Sequence, residues 1–110
     1  MKKVVKFGGS SLANAEQFRK VGDIIRSEEG RRYVVPSAPG KRFSGDTKVT
    51  DLLYACYDKA AQGKEFGGIF QEIKERYYEI IRGLDLKLSL EEEFAQIEAC
   101  LLYTSPSPRD

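Results

Sequence analysis

The chain has 110 residues, room for one small domain, of which 41% are hydrophobic and 32% charged. That balance excludes a disordered chain, and a net charge of +1 gives no electrostatic case for binding nucleic acid or a membrane surface. With no histidine and two cysteines, Cys56 and Cys100, the sequence has no His-based triad and argues against a disulfide framework or a metal cage.

Lys3 to Phe7 reads as a short buried strand, rich in valine. The basic N-terminus is not followed by a long apolar stretch, so no signal peptide is expected. No run of eighteen apolar residues exists to cross a membrane, and a cytoplasmic location is expected. The stretch Lys6-Phe7-Gly8-Gly9-Ser10-Ser11-Leu12-Ala13 then sits between strand and helix. Paired glycines let backbone N–H groups come close to a ligand, and a helix N-terminus adds a partial positive charge. Lys6 adds a full charge, and Ser10 and Ser11 add hydroxyls. This combination suits phosphate groups. A plain glycine turn without a ligand accounts for the same residues equally well. The stretch matches neither a Walker A loop nor Gly-x-Gly-x-x-Gly, because its lysine precedes the glycines.

Asn14 is a good N-cap, and Gln17 three residues later completes a capping-box pattern. Phe18, Val21, Ile24 and Ile25 recur at helical spacing, and Gly30 is expected to end the helix. Arg31 to Val35 reads as a second strand. Strand, helix, strand over about thirty residues predicts a βαβ unit with parallel strands and a right-handed crossover.

Pro36 to Lys48 is a loop rich in proline, glycine and basic residues. A helix starts near Lys48 to Thr50 with Val49, Leu52, Leu53, Cys56 and Ala60 on one face, and Gly63 stops it. A longer helix runs from about Phe66 to Gly83. Its apolar stripe is Phe66, Ile69, Phe70, Ile73, Tyr77, Ile80, Ile81 and Leu84. Ser89 with Glu92 reads as a capping box opening a last helix, with Phe94 and Ile97 inward. Glu91-Glu92-Glu93 complements that helix's dipole and is not a metal site. Cys56 is read as an inert core thiol, and Tyr77 and Tyr78 as core and rim. Two strands and four helices cannot cover one another, which fits the first portion of a larger α/β layered domain.

Residues 100–110, Cys-Leu-Leu-Tyr-Thr-Ser-Pro-Ser-Pro-Arg-Asp, look like the translation of a common transposase-type sequencing-library adapter. On that reading the native sequence is cut near Ala99. Residues 1–99 are then one truncated domain, and the polar tail is expected to be extended and to add no core.

Lys6-Phe7-Gly8-Gly9-Ser10-Ser11-Leu12-Ala13 resembles the N-terminal signature of the aspartate kinases, within the amino-acid kinase superfamily. The resemblance continues through Val34-Val35-Pro36-Ser37-Ala38-Pro39-Gly40-Lys41-Arg42 and Lys48-Val49-Thr50-Asp51-Leu52-Leu53, and covers residues 1 to about 99. Two departures stand out: Pro36 replaces the usual aliphatic residue, and Arg42 to Lys48 lengthens the loop. The resemblance implies an α/β/α layered domain, here with a parallel strand pair and about four helices. It also implies ATP-dependent phosphorylation of the side-chain carboxylate of L-aspartate, the entry to lysine, threonine and methionine synthesis.

Carried over residue by residue, Lys6 is the catalytic lysine at the ATP phosphates, and Phe7, Gly8, Gly9 and Ser10 complete the ATP site. Ser37 and Thr50 hold the amino acid. ATP and Mg²⁺ are the implied cofactors, with the ion carried mainly by the nucleotide, since no ligand set for it is visible here. The implied partners are small molecules, with a homo-oligomer for the full-length protein. Another amino-acid kinase, acting on glutamate or acetylglutamate, is the alternative enzyme, although Ser10-Ser11-Leu12-Ala13 and Thr50-Asp51-Leu52-Leu53 argue against it. A nucleotide- or anion-binding module without catalysis is the alternative outside enzymes. Lys41 and Arg42 read as a solvated basic loop near enough to attract anions.

Overall fold

The computed structural model describes residues 2–104. In chain order these residues form β1 (Lys3–Phe7), a 3-10 turn (Gly9–Leu12), α1 (Ala15–Arg26), β2 (Arg31–Pro36), α2 (Val49–Ala61), α3 (Gly67–Gly83) and α4 (Glu91–Thr104). β1 and β2 pair in parallel, with Val5 opposite Val34 and Phe7 opposite Pro36. The expected α/β class and parallel pair are both present. Pro36 ends its strand, where a missing N–H costs the ladder least.

α1 begins as the capping pattern predicts, with the Asn14 side chain accepting from the Gln17 N–H at 3.0 Å. It ends at Arg26, four residues before Gly30. There Ser27 takes over the end: its hydroxyl donates to the Ile24 carbonyl at 2.7 Å and its N–H to the Asp23 carbonyl at 3.0 Å. Gly30 belongs to the turn into β2. From the second of the paired glycines, Gly9, to Leu12 runs a 3-10 turn that the apolar spacing did not announce.

The core is helical. Val49, Cys56 and Ala60 of α2 meet Phe70 and Ile73 of α3 and Phe94 and Leu101 of α4. Phe94 lies edge-on to Phe70 and Tyr78, with ring centroids 6.1 and 5.6 Å apart, a favoured aromatic geometry. The helix stripes therefore partner one another without needing a sheet. Ile97, expected inward, is exposed, because α4 turns Phe94 and Leu101 to the core instead. Ser89 accepts from the Glu91 N–H at 3.3 Å, not from Glu92, so the cap falls one residue early. α4 also runs through to Thr104, and Leu101 is buried, so the expectation of an extended, coreless tail fails for residues 100–104. The remainder of that tail, residues 105–110, lies outside the described residues.

The strands are less covered than their valine content predicts. β1 was expected to be buried, yet Val4 is 69% exposed, and in β2 Tyr33, Val34 and Val35 are all exposed. Alternation puts Val5 and Phe7 on one half-buried face of β1, and Val4 and Lys6 on the other. The helical core draws on α2, α3 and α4, so no described element covers that second face.

Candidate functional site

The end of β1 and the end of β2 lie side by side, and the chain leaves both in the same direction. The Ser37 N–H donates to the Phe7 carbonyl at 3.1 Å, extending the ladder by one bond. Beyond it, the Gly40 N–H donates to the Gly9 carbonyl at 2.8 Å, tying the two loops together. Here glycine is a packing requirement. A Cβ on Gly40 would stand 2.6 Å from the Gly9 carbonyl carbon and 2.9 Å from the Ser10 nitrogen, closer than any side chain tolerates. The Pro39 carbonyl then accepts from the Val49 N–H at 3.0 Å, which docks the start of α2 onto the same loop.

These bonds enclose a cleft of about 530 Å³. Gly9 and Ser10 line one part, Ser37 to Lys41 another, and Lys48, Thr50 and Asp51 the N-terminal end of α2. Of the predicted site residues, Gly9, Ser10, Ser37 and Thr50 come together, although Thr50 lies more than forty residues from Gly9 in the chain. Lys6, Phe7 and Gly8 do not line it. Lys6 is the penultimate residue of β1 and exposed, Phe7 is half-buried, and Gly8 is exposed in an extended conformation before the 3-10 turn. Thr50 is the second residue of α2, whose N-cap is Lys48, so its hydroxyl is not consumed in capping. It is exposed to the cleft.

The charges in the lining are Lys41, Lys48 and Asp51, an excess of one cation, and the positive end of α2 adds to it. This arrangement suits an anion, or two anions brought together. One carboxylate in the lining does not make a metal site, and no group of three or more Cys, Asp or Glu among the described residues could hold a metal ion.

Lys41 and Arg42, read together as a basic loop, part company. Lys41 lines the cleft, whereas Arg42 turns to Asp46, with Nε–Oδ2 at 2.7 Å and Nη2–Oδ1 at 3.1 Å, and to Glu79 at 3.1 Å. The fork-on-carboxylate geometry holds Asp46 well below the usual carboxylate range and pushes Arg42 up. Behind this pair sits Arg76 of α3, 4% exposed. It donates from Nη1 to the Thr47 carbonyl at 2.7 Å and from Nη2 to the Gly40 carbonyl. Burial lowers the pKa of its guanidinium. Arg76 and Asp46 were missed in the sequence. The available signal was Arg76 itself, a charge lying between Ile73 and Ile80 at stripe spacing. Cys56 is fully buried, and burial pushes its thiol up, as an inert core thiol requires. Tyr77 and Tyr78 are half-buried beside Phe94, and Tyr78 donates to the Glu91 carboxylate.

No helix among the described residues is long and apolar enough to cross a membrane. No protein-family model matches the chain. A curated relative, aspartokinase 3 of Bacillus subtilis (strain 168), is 46% identical over 91 residues, 83% of this chain and 20% of that protein. The crystal structure of Clostridium acetobutylicum aspartate kinase superposes with a TM-score of 0.87 at 42% identity, over 91% of this chain and 23% of that one. E. coli aspartokinase III in complex with aspartate and ADP superposes with a TM-score of 0.72 at 26% identity, over 99% of this chain and 24% of that one. The chain spans about a fifth of the length of the curated relative it matches. In sequence and in fold, this chain is therefore the counterpart of a fifth to a quarter of an aspartate kinase.

Proposed function

We propose that this chain supplies part of the ATP and aspartate sites of an enzyme that phosphorylates the side-chain carboxylate of L-aspartate. The observation that carries the reading is the cationic cleft that brings Gly9 and Ser10 together with Ser37 and Thr50. The E. coli relative, in complex with aspartate and ADP, supports the choice of ligands. The chemistry asks little of acid–base groups. A carboxylate with a pKa near about 4 is ionised at neutral pH and is already the nucleophile. One of its oxygens attacks the γ-phosphorus, the bond to the β,γ-bridging oxygen breaks, and ADP leaves with 4-phospho-L-aspartate formed. The protein's work is to hold two anions together and to neutralise charge that develops on the transferred group. In this reading Phe7, Gly8, Gly9 and Ser10 form the backbone cradle for the phosphates. Lys6 reaches them from the strand side, and Ser37 and Thr50 hold the amino acid.

Mg²⁺ is not assigned to residues of this chain, whose cleft carries one carboxylate beside two lysines. A cytoplasmic, homo-oligomeric enzyme completes the reading, testable by fractionation and light scattering. Residues 1–99 are proposed as part of the catalytic domain and 100–110 as adapter-derived, which resequencing of the uncut reading frame would test.

The deciding experiment is aspartyl hydroxamate formation by a full-length aspartokinase carrying residues 2–99 of this chain in place of its own matching segment. Turnover should need both ATP and L-aspartate, and Lys6→Ala should lower kcat far more than it raises the KM for aspartate. Turnover with glutamate instead, or kcat within threefold of the parent after Lys6→Ala, would overturn the corresponding assignment.

A further inference from the structure

We infer that Arg76 is a positioning residue for the cleft, fixing from α3 the backbone that presents Gly40, Lys41 and Lys48 to the Gly9 turn. The inference rests on the reading of that cleft as the substrate site. Among the described residues Arg76 is the buried charged one, set on the apolar face of a helix that lines no part of the cleft. A guanidinium is withdrawn from water only where its donors are met. Here the two Nη groups are met, by backbone rather than by a carboxylate: Nη1 by Thr47 and Nη2 by Gly40, 29 and 36 residues away. Asp46 stands farther off at 3.6 Å and is already held by Arg42, while Nε has no hydrogen-bond partner among the described residues. So the two carbonyls set the orientation of the side chain.

Those two carbonyls belong to the residues immediately before Lys41 and Lys48, the two cationic side chains of the cleft. One buried fork thus pins both ends of the 40–47 loop. The pinning passes to the glycine turn without slack, because Gly40 donates to the Gly9 carbonyl and leaves no room for even a Cβ between them. A lysine at position 76 keeps the charge but is a point donor on a flexible stem, and it does not reproduce a fork spanning two acceptors.

The test uses the full-length aspartokinase carrying residues 2–99, as parent and as Arg76→Lys. The substitution should raise the KM for ATP or for aspartate at least fivefold and leave kcat within threefold. Hydrogen-exchange protection should fall across residues 38–48 and persist across 67–83. A purely structural role would instead lower kcat with the folded fraction and leave both KM values within twofold of the parent, and that result overturns the inference. Should Arg76→Lys not fold, exchange in the parent decides: Gly40 and Val49 amides as protected as those of α3 support the tie, and exchange at the rate of exposed amides overturns it. A parent without aspartate-dependent turnover sinks the function proposed above, while the exchange comparison still decides whether Arg76 holds the loop.

Discussion

Thr50 shows how much one side chain can be asked to decide. It is the second residue of α2, exposed to the cleft and not used as a cap, with Lys48 on one side and Asp51 on the other. Thr50→Val keeps the shape and removes one hydroxyl. If that hydroxyl holds the amino acid, aspartate binding should weaken by about 0.5–1.5 kcal/mol, or more if its partner is charged. ATP affinity should stay within twofold. Calorimetry on the full-length protein carrying this segment separates the two, and a loss of ATP affinity alone would move Thr50 to the nucleotide side. Residues of this kind are legible in sequence because local chemistry marks them: a hydroxyl at a helix start, a glycine pair after a strand, Asn14 ahead of Gln17. Arg76 was not legible as a contact. Its partners are carbonyls of Gly40 and Thr47, and a carbonyl has no residue identity to read. Arg42 failed for a related reason. Its composition says basic loop, but its partners Asp46 and Glu79 are visible only once α3 and the loop are brought together.

At the scale of elements, the junction of α1 and α3 is a tight one. Gly83, the last residue of α3, faces Ala15, the first of α1, and Arg19 donates across the junction to the Gly83 carbonyl. A Cβ on Gly83 would meet the Ala15 Cβ at 2.5 Å. Alanine gains at most about 1 kcal/mol of helix propensity over glycine, and less at a terminus. Overpacking costs about 1–3 kcal/mol, so the clash wins. Gly83→Ala should lower the thermal midpoint of the full-length protein carrying this segment, and adding Ala15→Gly should recover most of the loss, the signature of a direct contact. A Gly83→Ala protein as stable as its parent would show that the helices slide apart freely. The elements themselves were largely readable. The spans of β1, α2 and α3 agree with the apolar spacing within a residue or so, since each is long or strongly periodic. What escaped was short or tertiary: the four-residue 3-10 turn has no period, and the end of α1 is set by Ser27 rather than by the nearest glycine. Leu101 extends α4 because a buried position on the α2–α3 core was available to it, which no tail composition announces.

For the whole molecule, the exposed surface decides what the chain does by itself. α2, α3 and α4 bury a common core, whereas Val4, Tyr33, Val34 and Val35 of the strand pair are between 38% and 69% exposed. Parallel strands are ordinarily covered on both faces, and a two-stranded sheet is marginal without such cover. Each large apolar side chain left in water forgoes up to about 1.5–3 kcal/mol. The net stability of an entire domain is about 5–15 kcal/mol, so four partial losses in one sheet remove a large share of it. The cleft is built at the ends of those same strands, through Ser37 to Phe7 and Gly40 to Gly9. Loosening the sheet therefore loosens the cleft, even where the helices hold. Purified as the 110-residue chain alone, the protein should keep much of its helical far-ultraviolet signal, bind a hydrophobic dye, melt over a broad range and show no aspartate-dependent turnover. Hydrogen exchange should be fast across β1 and β2 and slower across α3. A sharp cooperative melt as a monomer, or turnover with ATP and aspartate, would mean that the strand pair needs no cover and that the cleft is complete as it stands.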